Sequence, residues 1–162
     1  MASPISRLQF NQVAAAGGSV AAPAGAILLL AASVCADNVG PVSLPSSVTW
    51  NGTALSTVSG SELTGTLVAS KFWVLVNPDI GTFTFGVTGG SAVRRHYLYW
   101  LANVSRGDRR DADTGFVDNT GNSLSVTVTS DPNDMCFFVI TENEEQTLTP
   151  SSITEEAEFS SG

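Results

Sequence analysis

The chain has 162 residues, enough for one domain with a sizeable core, and its 15 acidic and 7 basic residues give a net charge of −8. This balance argues against binding to nucleic acid or to an anionic membrane surface, because both need a basic face. Only 14% of the residues are charged, against roughly 25% in an average soluble domain. With abundant Gly, Ser, Thr, Val and Ala, this composition favours a β-protein whose surface is partly covered by neighbouring subunits.

The first part of the chain predicts an edge strand, a turn region and a long core strand. Residues 1–7 read as a short arm, and the alternation of Leu8–Val13 predicts a first strand at a sheet edge. The small residues of Ala14–Gly25 predict a turn-like connection. Ala21–Ala36 is apolar and ends near a cysteine, as in a lipoprotein signal, but Pro and Gly interrupt it and it is too short to span a bilayer. We therefore interpret Ile27–Cys35 as a core strand.

A hairpin is predicted next. Asp37–Ser47 contains two prolines and predicts a loop. Val48–Leu55 predicts a hairpin, since Asn51-Gly52 suits a type I′ turn, in which both central residues have positive φ. Gly60–Thr66 fits either a short strand or a loop.

Two apolar strands then follow in succession. Val68–Val76 is almost continuously apolar from Phe72 onwards, and Asn77–Gly81 predicts a turn in which Pro fixes φ and Gly accepts a left-handed conformation. In Thr82–Val87, every second residue from Phe83 lies on one face and the threonines lie on the other. This pattern predicts a strand packed on a core.

Val93–Val104 predicts a strand, with a helix as the alternative because the stretch contains neither Gly nor Pro. Tyr97 and Tyr99 alternate with Leu98 and Trp100, and aromatic residues favour strands. We therefore expect strand here.

The last third of the chain alternates between polar and apolar stretches. Ser105–Ser123 predicts a long polar loop, Leu124–Thr129 a strand, and Met135–Thr141 a buried strand. Ser151–Gly162 is acidic and rich in Ser, which predicts an arm or tail.

These elements predict an all-β fold: a two-layer antiparallel β-sandwich, immunoglobulin-like or jelly-roll, with about 8–10 strands and no substantial helix. Residues 8–150 would form the sandwich, flanked by arms at 1–7 and 151–162. Neither arm has the apolar periodicity of a strand, so we expect both arms to contact other subunits.

Three stretches carry a family resemblance: Val48–Leu55 (VTWNGTAL), Phe72–Val76 (FWVLV) and Asn77–Val87 (NPDIGTFTFGV). Together they resemble an immunoglobulin-like β-sandwich module of phage virion proteins, such as capsid decoration, cement or fibre proteins, and of bacterial surface proteins. The resemblance extends to Ala26–Cys35 and Cys136–Thr141. It implies a fold and a structural role, and because the family is not catalytic it implies no active-site residues.

The sequence predicts no catalytic, cofactor-binding or metal-binding residue. A Ser-His-Asp arrangement would have to use His96, which lies beside two arginines with no nucleophile motif nearby. Asp111, Asp113 and Asp118 are weak candidates for calcium ligands, because their spacing matches the start of an EF-hand loop. The distal Glu and the flanking helices are missing, so we interpret them as part of a solvated loop.

Cys35 and Cys136 lie in apolar stretches, so we expect two buried free thiols and no disulfide between them. Trp50, Trp73 and Trp100 also lie in apolar strands. This placement favours core packing over an exposed platform for binding sugars.

We therefore expect a non-enzymatic virion structural protein: a capsid decoration or cement protein that binds and stabilises a phage shell. Its partners would be the major capsid protein or other virion subunits, and it would form a homo-oligomer such as a trimer. It would lie on the capsid surface after assembly in the host cytoplasm, without cofactor, nucleic acid or membrane. The alternative is a carbohydrate-binding or adhesion module on a tail fibre or cell surface, and a hydrolase is a third class.

Overall fold

The computed structural model describes residues 5–37, 39–92, 94–104 and 135–139, which contain ten β-strands and no helix. This confirms the all-β prediction. The strands are β1 (Ser6–Ala14), β2 (Gly17–Ala22), β3 (Leu28–Ala36), β4 (Ser47–Trp50), β5 (Thr53–Ala54), β6 (Ser56–Thr57), β7 (Leu63–Thr64), β8 (Val68–Val76), β9 (Gly81–Thr88) and β10 (Arg94–Ala102).

The strands form two antiparallel sheets. Sheet A has six strands in the order β1-β10-β3-β8-β6, with β7 also paired to β8, and sheet B has four in the order β2-β9-β4-β5. Successive strands therefore cross repeatedly from one sheet to the other. A sandwich results, because apolar side chains on the two facing surfaces are removed from water together.

The pairing of the strands is nested. β1 pairs with β10, β2 with β9, β3 with β8, and β4 with β5. A long hairpin paired in this way and wound into two sheets is the arrangement of a jelly roll. The antiparallel sandwich that the family resemblance implied is present, and of the two arrangements left open by the sequence, the strand order matches the jelly roll.

The main core lies between the sheets. The Trp50 and Trp100 rings meet at 4.9 Å and 70°, and Phe83 meets the Trp50 ring edge-on at 5.7 Å. The buried members of this core are Val13, Val20, Ala22, Ala26, Leu29, Ala31, Val48, Trp50, Leu55, Trp73, Phe85, Leu98 and Trp100.

The central predictions for individual elements are confirmed. β4 and β5 form the expected hairpin, with φ of 47° at Asn51 and 80° at Gly52. The alternation in β9 is also present, because Phe85 is fully buried in the core while Thr84 is exposed. β10 is a strand from Arg94 to Ala102, not a helix.

Two predictions near the start of the chain are wrong in their boundaries. Ala14–Gly25 is not a turn region throughout, because β2 runs from Gly17 to Ala22 and buries Val20 and Ala22. Because the residues of β2 are small, the alternation of apolar and polar side chains that marks a strand is not visible in its sequence. β1 also begins at Ser6, two residues earlier than the expected edge strand.

The prediction of a buried strand at Met135–Thr141 is wrong over the residues that the structure describes. Residues 135–139 form no strand, and Met135, Cys136 and Phe138 are exposed. The segment packs on the sandwich through Phe137 and Val139, so alternate side chains face solvent. Ser105–Ser123, Leu124–Thr129 and residues 151–162 lie outside the described residues, as do residues 1–4.

Candidate functional site: a buried polar cluster and an outer apolar face

The inner face of sheet A changes from apolar to polar along its strands. In β3, the apolar Leu29 is followed on this face by Ser33 and Cys35. The strand register places His96 of β10 opposite Ser33, and Arg94 of β10 opposite Cys35. Ser33, Cys35, His96, Arg94 and the neighbouring Trp73 of β8 are called the polar cluster below. All five side chains are buried.

Ser33 joins two rings by hydrogen bonds inside the polar cluster. Trp73 Nε1 donates to Ser33 Oγ at 2.9 Å, and Ser33 Oγ lies 2.9 Å from His96 Nδ1. An indole N–H can only donate, so Ser33 Oγ accepts from Trp73 and keeps one lone pair and its own proton for the contact with His96 Nδ1. Which of the two atoms donates follows from the tautomer of the imidazole.

His96 is held in its neutral form. Burial, followed by the charge of Arg94, lowers the pKa of His96 from its ordinary 6.5 to about 4, and the Ala15 carbonyl partly opposes this. That carbonyl oxygen already accepts the Arg94 Nε–H at 2.8 Å. Among the described residues, Nε2 has no hydrogen-bond partner, and the Phe85 ring lies 5.4 Å from the imidazole.

Arg94 ties the start of β10 to two connections. Besides the bond to Ala15 in the β1–β2 turn, its Nη1 donates to the Ser91 carbonyl. No carboxylate forms an ion pair with Arg94 within the described ranges. The guanidinium is therefore satisfied by backbone oxygens, which suits a structural clamp at the end of the sandwich.

The two cysteines are both free thiols, but their environments differ. Burial raises the pKa of the Cys35 thiol to about 11, although the Arg94 charge opposes this, and the thiol donates to the Ser43 carbonyl at 3.5 Å. Cys35 therefore stays protonated, whereas nucleophilic attack needs the thiolate. The prediction that Cys136 is buried is wrong, because its side chain faces solvent.

An ion pair lies beside the polar cluster. Lys71 of β8 forms an ion pair with Glu62 at 2.8 Å, and its ammonium lies 4.7 Å from the centre of the Trp73 ring. The hydrogen bond from Lys71 lowers the pKa of Glu62. This pair covers the Trp73 side of the cluster.

The polar cluster lacks the geometry of an acyl-transfer site. Ser33 and His96 are within hydrogen-bond reach, but both are completely buried. A serine nucleophile also needs an acid that orients the histidine and an approach for the substrate. No described carboxylate contacts His96 Nε2, so the arrangement fits packing and positioning better than catalysis.

A second apolar surface lies on the opposite side of sheet A, away from sheet B. We call it the outer apolar face. Phe10 of β1 stacks on Tyr97 at 6.1 Å and contacts Tyr99 at 5.3 Å. Its residues on the sheet and just beyond it are Phe10, Leu28, Leu30, Ala32, Val34, Phe72, Tyr97, Tyr99, Leu101 and Val104.

Residues 135–139 lie on the outer apolar face. The Phe137 ring is 4.9 Å from Tyr99, and Val139 packs beside it. Phe138 and Met135 point away from the sheet and are 40% and 36% exposed. Apolar character therefore continues from the sheet through this segment to the surface.

The three tryptophans are core residues, as predicted. Each indole N–H also has an acceptor: Trp50 donates to the Asp79 carbonyl at 2.9 Å, Trp73 to Ser33, and Trp100 to Asn11 Oδ1 at 3.0 Å. Burial with a satisfied N–H leaves no tryptophan face for stacking on a sugar.

Of the site residues considered from the sequence, His96 is among the described residues and the three aspartates are not. His96 lies in the interior, and nothing in the sequence indicated that Ser33 and Trp73 would be its partners, because the three are far apart in the chain. Asp111, Asp113 and Asp118 lie outside the described residues. Within the described ranges, no group of His, Cys, Asp and Glu could hold a metal ion. Apolar residues on both faces of Val93–Val104 were a readable signal for the outer apolar face.

No protein-family model matches this chain, and no curated protein or solved structure shows significant similarity to it. The described part of the chain contains no helix that could span a lipid bilayer. A functional assignment therefore depends on the residues and geometry described above.

Proposed function

We propose that this chain is a non-enzymatic structural protein of a virus particle, a decoration or cement protein that binds the shell of a bacteriophage. It would stabilise the shell by adding contact area across subunit boundaries, and it would catalyse no reaction. Repeated copies on a symmetric shell would strengthen individually weak contacts.

The proposal depends on the apolar outer face of sheet A, which the sheet has in addition to the apolar part of its inner face. A sheet in a two-layer antiparallel sandwich needs one apolar face, and the other is usually polar and solvated. Here the inner face packs on sheet B, and the outer face carries Phe10, Tyr97 and Tyr99. Residues 135–139 of the chain itself pack on this outer face, and their exposed side chains Met135 and Phe138 would supply the apolar contact with a shell subunit.

The jelly-roll strand order supports the same proposal. Jelly rolls occur in viral capsid proteins, lectins and cupins. The chain contains a single histidine, whereas metal sites of the 2-His-1-carboxylate kind need two. The low charged fraction of 14% fits a protein whose surface is partly covered in an assembly.

The alternative, a carbohydrate-binding or adhesion module, is less well supported. It relied on aromatic side chains forming an exposed platform, and Trp50, Trp73 and Trp100 are all buried. Tyr97 and Tyr99 are also buried, with 7% and 8% of their surface exposed.

Binding to particles tests the proposal. Particles of the virus that encodes the chain, prepared without the protein, would be mixed with purified wild type or with a Phe138→Asp variant. We expect wild type to saturate the particles and the variant to bind at least about tenfold more weakly, because a charge replaces an apolar contact at the interface. Bound protein would be measured by sedimentation.

Val39→Asp is the matched control. Val39 is 89% exposed, lies in the β3–β4 connection and is not one of the residues of the outer apolar face. It should bind as wild type does, and all variants should keep the wild-type circular dichroism spectrum. Wild-type protein that does not bind the particles overturns the proposal, and equal binding by the Phe138 and Val39 variants excludes the exposed side of residues 135–139 as the contact.

A further inference from the structure

The tip of the β4–β5 hairpin carries the sole Asn-Gly pair of the sequence. Asn51 and Gly52 are both exposed, with φ of 47° and 80°. Gly52 has no side chain, and a Cβ placed there would meet nothing within 4 Å. The backbone nitrogen of Gly52 is therefore sterically unhindered, which favours its attack on the Asn51 side chain.

This tip is attached to the β8–β9 connection through Asp79. Asn51 Nδ2 donates to Asp79 Oδ2 at 2.9 Å, and the indole of the preceding Trp50 donates to the Asp79 backbone oxygen at 2.9 Å. The first of these bonds needs the amide of Asn51, because a carboxylate at that position can accept but not donate. We call the Asn51–Asp79 hydrogen bond the hairpin latch.

We propose that Asn51 is a site of spontaneous deamidation and that this modification opens the hairpin latch. The Gly52 nitrogen loses its proton to base and forms a bond to Asn51 Cγ, while the bond from Cγ to Nδ2 breaks and ammonia leaves. Water then opens the five-membered succinimide ring at either carbonyl. The products are aspartate or isoaspartate at position 51, and no oxidant or reductant is consumed.

The product carboxylate would face the Asp79 carboxylate where the hydrogen bond had been. A favourable contact of a donor with an anion is replaced by a contact of two like charges. Isoaspartate would also add a carbon atom to the backbone of a two-residue turn whose geometry sets the register of the hairpin. The tip of sheet B would then separate from the β8–β9 connection.

Peptide mapping by mass spectrometry tests the chemical step. After incubation of the folded protein at mildly alkaline pH, we expect deamidation to accumulate at Asn51 and to proceed faster in an Asp79→Ala variant, which lacks the latch. Asn103 is the internal control: it is exposed and has a φ of 59°, but Val104 follows it, and its branched side chain hinders the attack. Deamidation at Asn51 no faster than at Asn103 overturns the proposal.

A charge-swap cycle tests the consequence independently. Asn51→Asp imitates the product, and we expect it to lower the folding equilibrium constant about fivefold at low salt, less at high salt. In the Asn51→Asp, Asp79→Asn double variant, the amide introduced at position 79 can donate to the carboxylate introduced at position 51, with the same net charge as wild type. We expect this variant to recover most of the stability, and a double variant no more stable than Asn51→Asp overturns the latch.

Discussion

At the scale of single residues, Ser33 explains how polar groups are accommodated inside the sandwich. Its hydroxyl accepts from Trp73 and reaches His96 Nδ1, both at 2.9 Å. Buried polar atoms without partners are costly, and this one hydroxyl serves two rings that come from β8 and β10. The sequence placed His96 in a strand, but these partners could not be predicted, because the register of β3 with its neighbours brings them together.

Replacing Ser33 with Ala should destabilise the protein. The change leaves Trp73 Nε1 and His96 Nδ1 without partners in a buried site, so we expect a loss of about 2–4 kcal/mol in the free energy of unfolding. Ser19→Ala is the control, because Ser19 is exposed on β2; it should change stability by less than about 0.5 kcal/mol. Urea denaturation measures both, and equal losses in the two variants would contradict the role of Ser33.

The neutral state of His96 predicts a pH dependence of stability. Its pKa is about 4 in the folded protein and near its ordinary 6.5 when unfolded, so between these values the unfolded chain binds the proton more tightly. Stability should therefore fall as pH falls from 6.5 to about 4, by about 3 kcal/mol from this residue. Urea denaturation across this pH range measures the loss.

His96→Asn is the matched variant for this pH dependence. Its amide oxygen can accept the Ser33 proton but does not titrate, so the variant should lose much of the slope above about pH 5, where few unperturbed carboxylates are protonated. A variant with the same slope as wild type would show that another group is responsible.

At the scale of elements, the sequence predicts well where the pattern is local and poorly where residues are small. The Asn51-Gly52 turn and the alternation in β9 can be predicted because each depends on the types of residues that are adjacent in the sequence. β2 was missed because its glycines and alanines carry too little side chain to show a period. The fold explains one of these small residues, Gly17. Its φ is 83°, and a Cβ there would overlap the Phe85 carbonyl oxygen.

Gly17→Ala should therefore disrupt the crossing from sheet A to sheet B. It adds both backbone strain and a clash with the main chain of β9, so we expect a loss of at least about 3 kcal/mol. Gly18→Ala is a close control, because a Cβ at Gly18 would make an ordinary contact with Val13 at 3.7 Å. The two variants would be compared by thermal unfolding, and similar melting temperatures would contradict this account of the β1–β2 connection.

At the scale of the whole molecule, composition and periodicity predict the β-sandwich but not its winding. Immunoglobulin-like and jelly-roll folds share short alternating strands, and they differ in which distant strands pair. Here the pairs of β1 with β10 and β2 with β9 decide for the jelly roll. Such pairings join residues far apart in the chain, and the alternation within each strand does not encode them.

The arm Ser151–Gly162 lies outside the described residues, and its role remains a prediction. Its acidic, Ser-rich composition lacks the apolar pattern of a core element, so deleting it should change the melting temperature little while weakening attachment to particles. Differential scanning fluorimetry and sedimentation with particles measure the two effects. Full occupancy of particles by the truncated protein at the salt resistance of wild type would show that the arm has no anchoring role.

If the protein is a structural component of a virus shell, as we propose, purified particles contain it at a fixed copy number, and this copy number is the most direct measurement. Lysates of cells that produce the chain would be separated on a density gradient, and mass spectrometry would quantify the chain and the major capsid protein of any particles in each fraction. We predict that the chain sediments with intact particles at a fixed ratio to the capsid protein. A chain that stays in the unsedimented fraction, or whose ratio varies from one preparation to the next, would contradict the proposal.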